Sequence, residues 1–492
     1  MERLSPLDNA FLEVEDADAH TSMAIGSVTV FEGPQPSYEE FVAAIGERLA
    51  LVPRYRQKVR RVPMDLGAPS WVDDPDFNLR WHVRPVSIPA PGDDAALHEV
   101  VGRLVGLRMD RTRPLWEIWL ASGLSGGRWA AISKVHHCMV DGVSGTDMYR
   151  VLLDLGPDRA PVPADEWVAH EEPSTARLTA DALRDLVANP FAQIAATARL
   201  IRHPAQAAHD VVDLGKGVAR LGAALRPTSD SQISGEIGRR RRYITARASL
   251  ADVRDIRLEF GGTVNDVVLT AIAAGFRDLM LARGEEPQPH SVRSLVPVSV
   301  RPPGAESVRD NQVSLLLARL PVHLADPVER LAAVCEELAQ LKKSKQAQAG
   351  AAITSLARHE PFPLVSLPIR AAMRMAQHSV VTVTTNVPGP NLPLFGLGRR
   401  VLEIAPYVPI ASTLRIGVAI FSYDGQLTFG ITGDYESAPD IDVLARGIER
   451  SVAELVAAAR ANGPREDRVL PGGRALFGYV GGDARLRRQV FR

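Results

Sequence analysis

Apolar residues recur along the chain at two spacings, and the alternation between them predicts a mixed α/β protein. In residues 37–52 (SYEEFVAAIGERLALV), Phe41, Ile45, Leu49 and Leu51 stand at near-helical spacing behind Ser37, whose hydroxyl suits an N-cap. Residues 128–142 (RWAAISKVHHCMVDG) read as a strand that stops at a turn near Asp141-Gly142, and 145–155 (GTDMYRVLLDL) as a helix. After GEIGRRRRY (235–243) a second region opens, with strands expected at 294–300, 313–320, 380–387, 414–423 and 427–434. Helices are expected there at 249–260, 264–284, 327–345 and 439–462. Runs of strands at hairpin-like spacing, interspersed with helices, predict mixed sheets rather than one doubly wound parallel sheet.

Between these regions the pattern changes. Residues 156–175 are rich in proline and acidic side chains and read as a loop. Residues 176–226 carry Ala, Leu and Arg with scattered Pro, which predicts short amphipathic helices suited either to covering a core or to lying on lipid. The division that follows is an N-terminal domain at 1–160, a helical connection at 161–240, a second domain at 241–462, and a Gly- and Arg-rich tail at 463–492 expected to lack fixed structure. A length of 492 residues agrees with more than one core, since single domains run to roughly 100–200 residues.

Composition narrows the function classes. The 57 basic and 58 acidic side chains nearly cancel, whereas a nucleic-acid binder carries a basic excess. Cys138 and Cys335 lack metal-ligand spacing and are too few for a disulfide framework, which fits a reducing cytoplasmic setting. The acidic N-terminus has no apolar core of a secretory signal, and no run reaches 18 apolar residues. Any membrane contact is therefore expected to be peripheral.

The chemistry centres on His136-His137-Cys138-Met139-Val140-Asp141-Gly142. Adjacent residues on a strand face opposite ways, so one histidine can meet a cleft while the other packs or hydrogen-bonds. Imidazole titrates near neutrality and suits removal of a hydroxyl proton. Asp141 at the turn can fix the backbone, and Gly142 permits a conformation that larger residues resist. A metal site of His136, His137 and Asp141 would lack further ligands. A Ser-His-Asp hydrolase would need a GxSxG elbow that the chain lacks. A pair of structural histidines stays open on these residues alone. Cys138 reads as a small buried thiol pointing away from its neighbour. Trp116 reads as core, and Asn265-Asp266, just before an apolar helix, as its cap or as pocket lining. Arg239–Arg242 reads as a solvated run or as a contact for phosphates, and Asn386–Pro390 as a rigid turn.

The heptapeptide resembles the HHxxxDG signature of the CoA-dependent acyltransferase superfamily, which includes chloramphenicol acetyltransferase and peptide condensation domains. Further blocks narrow the resemblance to the bacterial wax ester synthase/diacylglycerol acyltransferase family: RLSPLDNAFLEVE (3–15), WVDDPDFNLRWHVRPVSIPAPG (71–92), and MDRTRPLWEIWLASGL (109–124) with Pro114-Leu115-Trp116. TVNDVVLTAIAAGFR (263–277) with Asn265-Asp266, SLVPVSVR (294–301), NVPGPNLPLFGLG (386–398) and the 414–440 stretch are also similar, in order. The resemblance implies two pseudo-symmetric chloramphenicol-acetyltransferase-like domains meeting at an active-site tunnel. It implies His137 as catalytic base with His136, Asp141 and Gly142 around it, and Pro114, Leu115, Trp116, Asn265 and Asp266 as support or pocket. Amides near Gly142–Ser144, or Asn265, would bind the oxyanion. It further implies acyl-CoA as co-substrate, no tightly bound cofactor, no metal, and diacylglycerol or a long-chain fatty alcohol as acceptor. The rival expectations are a polyketide or peptide acceptor, or a catalytically weak lipid-surface protein.

Overall fold

Side-chain caps fix where the helices of this protein start. In the computed structural model, which describes residues 2–140, 147–162, 164–188, 231–299, 313–343 and 380–461, helix α1 (Pro6–Ala17) begins behind Ser5, whose side chain accepts the Asp8 N–H. Strand β1 (Ala24–Phe31) follows, then α2 (Tyr38–Arg48), which opens with a reciprocal Ser37–Glu40 capping box as the serine predicts. A small ribbon of β2 (Gln57–Arg60) and β3 (Ser70–Asp73) leads to α3 (Leu79–His82), β4 (Val83–Ser87) and α4 (Asp94–Gly106). Strands β5 (Trp116–Ser122) and β6 (Trp129–His136) and helices α5 (Asp147–Leu152) and α6 (Thr175–Ala188) complete the N-terminal half. Most of the connection at 161–240 and the tail at 463–492 lie outside the described residues.

In the C-terminal half, β7 (Arg241–Ser249), α7 (Leu250–Phe260) and α8 (Val264–Ala282) precede β8 (Val292–Ser299), β9 (Val313–Leu320) and α9 (Pro327–Lys343). Then come β10 (Thr382–Val387), β11 (Phe395–Gly396), β12 (Arg399–Tyr407), β13 (Ile416–Tyr423), β14 (Gln426–Asp434) and α10 (Ile441–Ala461). The strands expected at 294–300, 313–320, 380–387, 414–423 and 427–434 are β8, β9, β10, β13 and β14. The Asp424-Gly425 pair, both at positive φ, makes the tight turn between β13 and β14.

Two six-stranded mixed sheets result. The second, in the order β7-β14-β13-β10-β8-β9, combines antiparallel hairpins with parallel pairs at β10. Its core gathers around α8, whose apolar face buries Val267, Ile272 and Phe276. The first sheet, in the order β11-β12-β1-β6-β5-β4, draws β11 and β12 from the C-terminal half. Strand β1 lies antiparallel between β12 and β6, pairing Gly26 with both Tyr407 and Lys134. Its core holds Trp116 and Trp129, both fully buried.

The sheets meet where backbone comes very close to backbone. A Cβ on Gly430 of β14 would run into the Pro406 carbonyl of β12, and that carbonyl also accepts the Tyr243 hydroxyl at 2.9 Å. Beside it, Arg247 of β7 reaches Glu403 of β12 and Asp94 at the start of α4, at 2.8 and 3.0 Å. Only glycine fits position 430. Gly430→Ala should therefore lower the melting temperature by several degrees, since overpacking costs about 1–3 kcal/mol or more. Gly156→Ala, whose added Cβ meets nothing within 4 Å, should leave the thermal melt unchanged.

Candidate functional site

Strand β6 does not run to Asp141-Gly142 as the sequence suggests; it ends at His136, opposite Ala24 of β1. The reason is local. The His136 imidazole turns back so that Nδ1 accepts the Cys138 N–H at 3.1 Å, and His137–Met139 coil into one 3-10 turn. The His137 N–H donates to the Met23 carbonyl at 2.9 Å. The two histidines are thus separated by a change of backbone, not by strand alternation.

Their surroundings differ accordingly. His136 is fully buried, whereas His137 is half-buried rather than sealed. The His137 ring stacks on Phe11 of α1, with ring centres 3.8 Å apart and planes 25° from parallel. Its Nδ1 is enclosed and has no full hydrogen-bond partner among the described residues. Burial pushes its pKa down to about 4; its own backbone works weakly the other way, and His136 adds to the depression. The ring is therefore neutral at pH 7.

One helical turn beyond Phe11, the fully buried Glu15 faces His136. Its Oε2 lies 3.4 Å from His136 Nε2, and its Oε1 accepts the Met23 N–H at 3.1 Å. Arg111 forms an ion pair with the same carboxylate. Burial works to raise the Glu15 pKa, but His136, Arg111 and the Met23 N–H together outweigh it and hold the carboxyl well below its usual range. Burial lowers the pKa of His136 more than Glu15 raises it, so the ring is neutral. With Nδ1 accepting from Cys138, the one ring hydrogen is assigned to Nε2, which lies near the Glu15 carboxylate without completing a full hydrogen bond to it. Cys138 is buried in the apolar core, and burial pushes its thiol well above the usual range, so it is no thiolate.

The remaining expected residues fall into three groups. Asp141, Gly142 and Ser144 lie outside the described residues. Pro114, Leu115 and Trp116 are buried at the start of β5, where the Trp116 indole donates to the Tyr55 carbonyl at 2.7 Å and stacks with His82. The Leu115 carbonyl accepts the His136 N–H at 2.9 Å, so this element braces the histidine strand from the other edge. Asn265 and Asp266 sit inside the first turn of α8 rather than before it. Thr263 is the N-cap and Asp266 closes the capping box, while Asn265 Oδ1 accepts from Asn386 Nδ2 at 2.6 Å. No hydrogen bond or ring contact among the described residues joins this pair to His137.

The arginine run at 239–242 is largely committed to the fold. Arg240 pairs with Glu436, buried Arg241 donates to the Gly238 and His20 carbonyls, and Arg242 donates to the Tyr435 carbonyl at 2.9 Å. Among the described residues no three His, Cys, Asp or Glu side chains gather as a metal site, and no helix is long and apolar enough to cross a membrane. Phe11, Glu15, Met23 and Arg111 were not singled out by sequence reasoning. The i, i+4 spacing of Phe11 and Glu15 was visible, but not that both face the histidine turn.

Comparison with known proteins agrees along most of the chain. The family described as the wax ester synthase/diacylglycerol acyltransferase catalytic domain matches residues 4–268, and its C-terminal domain matches residues 310–456. A Mycobacterium tuberculosis protein named "Probable diacyglycerol O-acyltransferase" is 40% identical over 461 residues, covering 94% of this chain and 97% of that protein. Among solved structures, a wax ester synthase/diacylglycerol acyltransferase from Marinobacter aquaeolei superposes with a TM-score of 0.66 at 23% identity, over 93% of this chain and 100% of that one. The first condensation domain of a synthetase shares the fold at a TM-score of 0.55 and 16% identity, over 93% of this chain and 96% of that one.

The buried imidazoles set a pH dependence of stability. His82 and His98, like His137, are pushed down to about 4, in each case chiefly by burial. An unfolded histidine titrates at about 6.5. As pH falls below that value, the unfolded chain takes up protons that the folded chain refuses, so stability present above about pH 6.5 is lost progressively toward pH 4. For fully buried His82 alone the difference is on the order of 3 kcal/mol. Urea midpoints should drop clearly between pH 7 and pH 5; equal midpoints would contradict these burials.

Proposed function

The chain belongs to the wax ester synthase/diacylglycerol acyltransferase family, and from that premise we propose that it is an acyl-CoA-dependent O-acyltransferase that esterifies diacylglycerol to triacylglycerol and accepts long-chain fatty alcohols to give wax esters. The observation that carries the reading is the neutral, half-buried His137 ring clamped against Phe11 at the end of β6. A base already unprotonated at pH 7, with its plane fixed by stacking, is ready to accept a proton without first losing one.

In the proposed step the acceptor hydroxyl oxygen attacks the thioester carbonyl carbon while His137 takes the hydroxyl proton. With Nδ1 enclosed, Nε2 is the nitrogen assigned to this transfer. The tetrahedral oxyanion collapses, the carbon–sulfur bond breaks, and the departing coenzyme A thiolate takes the proton back from His137. The new ester leaves with the acyl chain. No acyl-enzyme is required, because the thioester is already activated, and the elevated Cys138 thiol argues against one. Asn265 is one candidate oxyanion donor: its Oδ1 is engaged by Asn386, which leaves Nδ2 to donate. Main-chain amides near Gly142–Ser144, as the sequence suggests, are the other.

Both substrates carry long apolar chains, so the enzyme is expected to work in the cytoplasm at a membrane or lipid-inclusion surface. The amphipathic periodicity of the sequence over residues 176–226 supports such peripheral docking.

Incubation with palmitoyl-CoA and either dipalmitoylglycerol or hexadecanol should release coenzyme A, read by a thiol reagent. His137→Ala should fold normally and lower kcat about 10²–10⁴-fold. Cys138→Ala, which removes only a buried thiol, should stay within a few-fold of wild type. Near-normal turnover by a folded His137→Ala protein would exclude this mechanism, and release only with peptide or polyketide acceptors would move the substrate assignment.

A further inference from the structure

Both main-chain N–H groups that open the histidine turn trace back to one carboxylate. The His137 N–H is held by the Met23 carbonyl at 2.9 Å, and the Met23 N–H is held by Glu15 Oε1 at 3.1 Å. The Cys138 N–H is held by His136 Nδ1 at 3.1 Å, and His136 Nε2 faces Glu15 Oε2 at 3.4 Å. Glu15 itself is fixed on α1 by the Arg111 ion pair, with Arg108 further out at 3.9 Å. The same face of α1 supplies Phe11, the ring stacked on His137.

Resting on the acyltransferase reading, we propose that Glu15 is the positioning residue of the site: through His136 and through Met23 it holds the turn that places the His137 ring. A charge at a fully buried position is costly, and a neutral side chain of the same shape could meet the Met23 N–H without that cost. The carboxylate adds one function that a neutral residue would not. It accepts only, so it selects the His136 tautomer with hydrogen on Nε2. That tautomer leaves Nδ1 as the acceptor the Cys138 N–H needs. If His136 took the other tautomer, its Nδ1 hydrogen would confront the Cys138 N–H, and the turn would have to open. His137, one residue away and stacked on the helix that carries Glu15, would move with it.

The test compares coenzyme A release by wild type, Glu15→Gln, His136→Asn and the double variant, with palmitoyl-CoA and dipalmitoylglycerol. His136→Asn keeps an acceptor for the Cys138 N–H but has no ring nitrogen reaching Glu15. Glu15→Gln is expected to lower kcat about 10–100-fold, the scale of a small misplacement of a reacting group, with KM for palmitoyl-CoA within about 3-fold, since a positioning residue acts on the reacting step rather than on substrate binding. His136→Asn is expected to match it, and the double variant to be no worse than either. A folded Glu15→Gln protein with kcat within about 2-fold of wild type, or losses that multiply in the double variant, would overturn the proposal. If Glu15→Gln is not recovered folded, His136→Asn severs the same contact from its other end and is judged by the same limits. A second readout does not depend on turnover. In protein labelled with ¹⁵N-histidine, the His136 ring should carry its hydrogen on Nε2 at pH 7, and hydrogen on Nδ1 in wild type would overturn the proposal. Absence of coenzyme A release by wild type would instead count against the acyltransferase reading, while the tautomer still decides the role of Glu15.

Discussion

Strand β1 is paired on both sides, and the rest of the molecule hangs on that pairing. On one side lies β6, whose end carries the histidines; on the other lies β12, delivered from the C-terminal half. Met23, which receives the His137 N–H, immediately precedes β1. The position of His137 is therefore referred, through a main-chain ladder, to a strand from the far end of the chain. The same β12 touches β14 at Gly430 and Tyr243 of β7 through Pro406, so it ties the two sheets to each other as well. Close approach of backbone leaves little freedom for sliding, because any shift breaks ladder hydrogen bonds on two sheets at once.

Within that frame, burial and hydrogen bonding assign different chemistry to two identical side chains. His136 has a carboxylate on one nitrogen and an amide N–H on the other, and is fully enclosed. His137 has an aromatic face against it and an enclosed nitrogen without a full partner. Desolvation keeps both neutral; what differs is what faces each ring, a carboxylate for the first and an aromatic ring for the second. The buried Lys134, two residues earlier on the same strand, shows a third solution. Its ammonium caps the end of α4 by donating to the Leu104 carbonyl at 3.0 Å, and burial pulls its pKa down to about 8.

Much of the element pattern was legible because it is written locally. Ser37 capped the helix it was expected to cap, and the strand expected at 313–320 is β9 to the residue. The mixed character of the sheets followed from strand spacing. The end of β6 was misread because a side chain, not the apolar pattern, stops it: His136 captures the next N–H but one. Asp266 shares in capping α8, as its place before the apolar run suggested, but as the N3 partner of the N-cap Thr263. The importance of Trp116 as core was readable from its size and neighbours, whereas the bond from the Leu115 carbonyl to His136 was not. The roles of Glu15 and Arg111 depend on a contact between residues 96 apart in the chain. No periodicity reports such contacts. For the same reason residues 399–407, not among the strands expected from the sequence, gave no sign that β12 would leave its own half and complete the other.

That exchange carries a cost during synthesis. When the ribosome has made β1, β6, β5 and β4, the first sheet can form, but one margin of β1 stays bare until residues 399–407 emerge much later. A bare margin of main-chain donors and acceptors invites any extended segment nearby to dock on it. Non-local pairing of this kind is also slow to form. The nascent protein therefore passes through a long interval in which its N-terminal sheet lacks the two strands it has not yet received, and rapid expression would favour neighbouring chains lending each other the strand that pairs with β1.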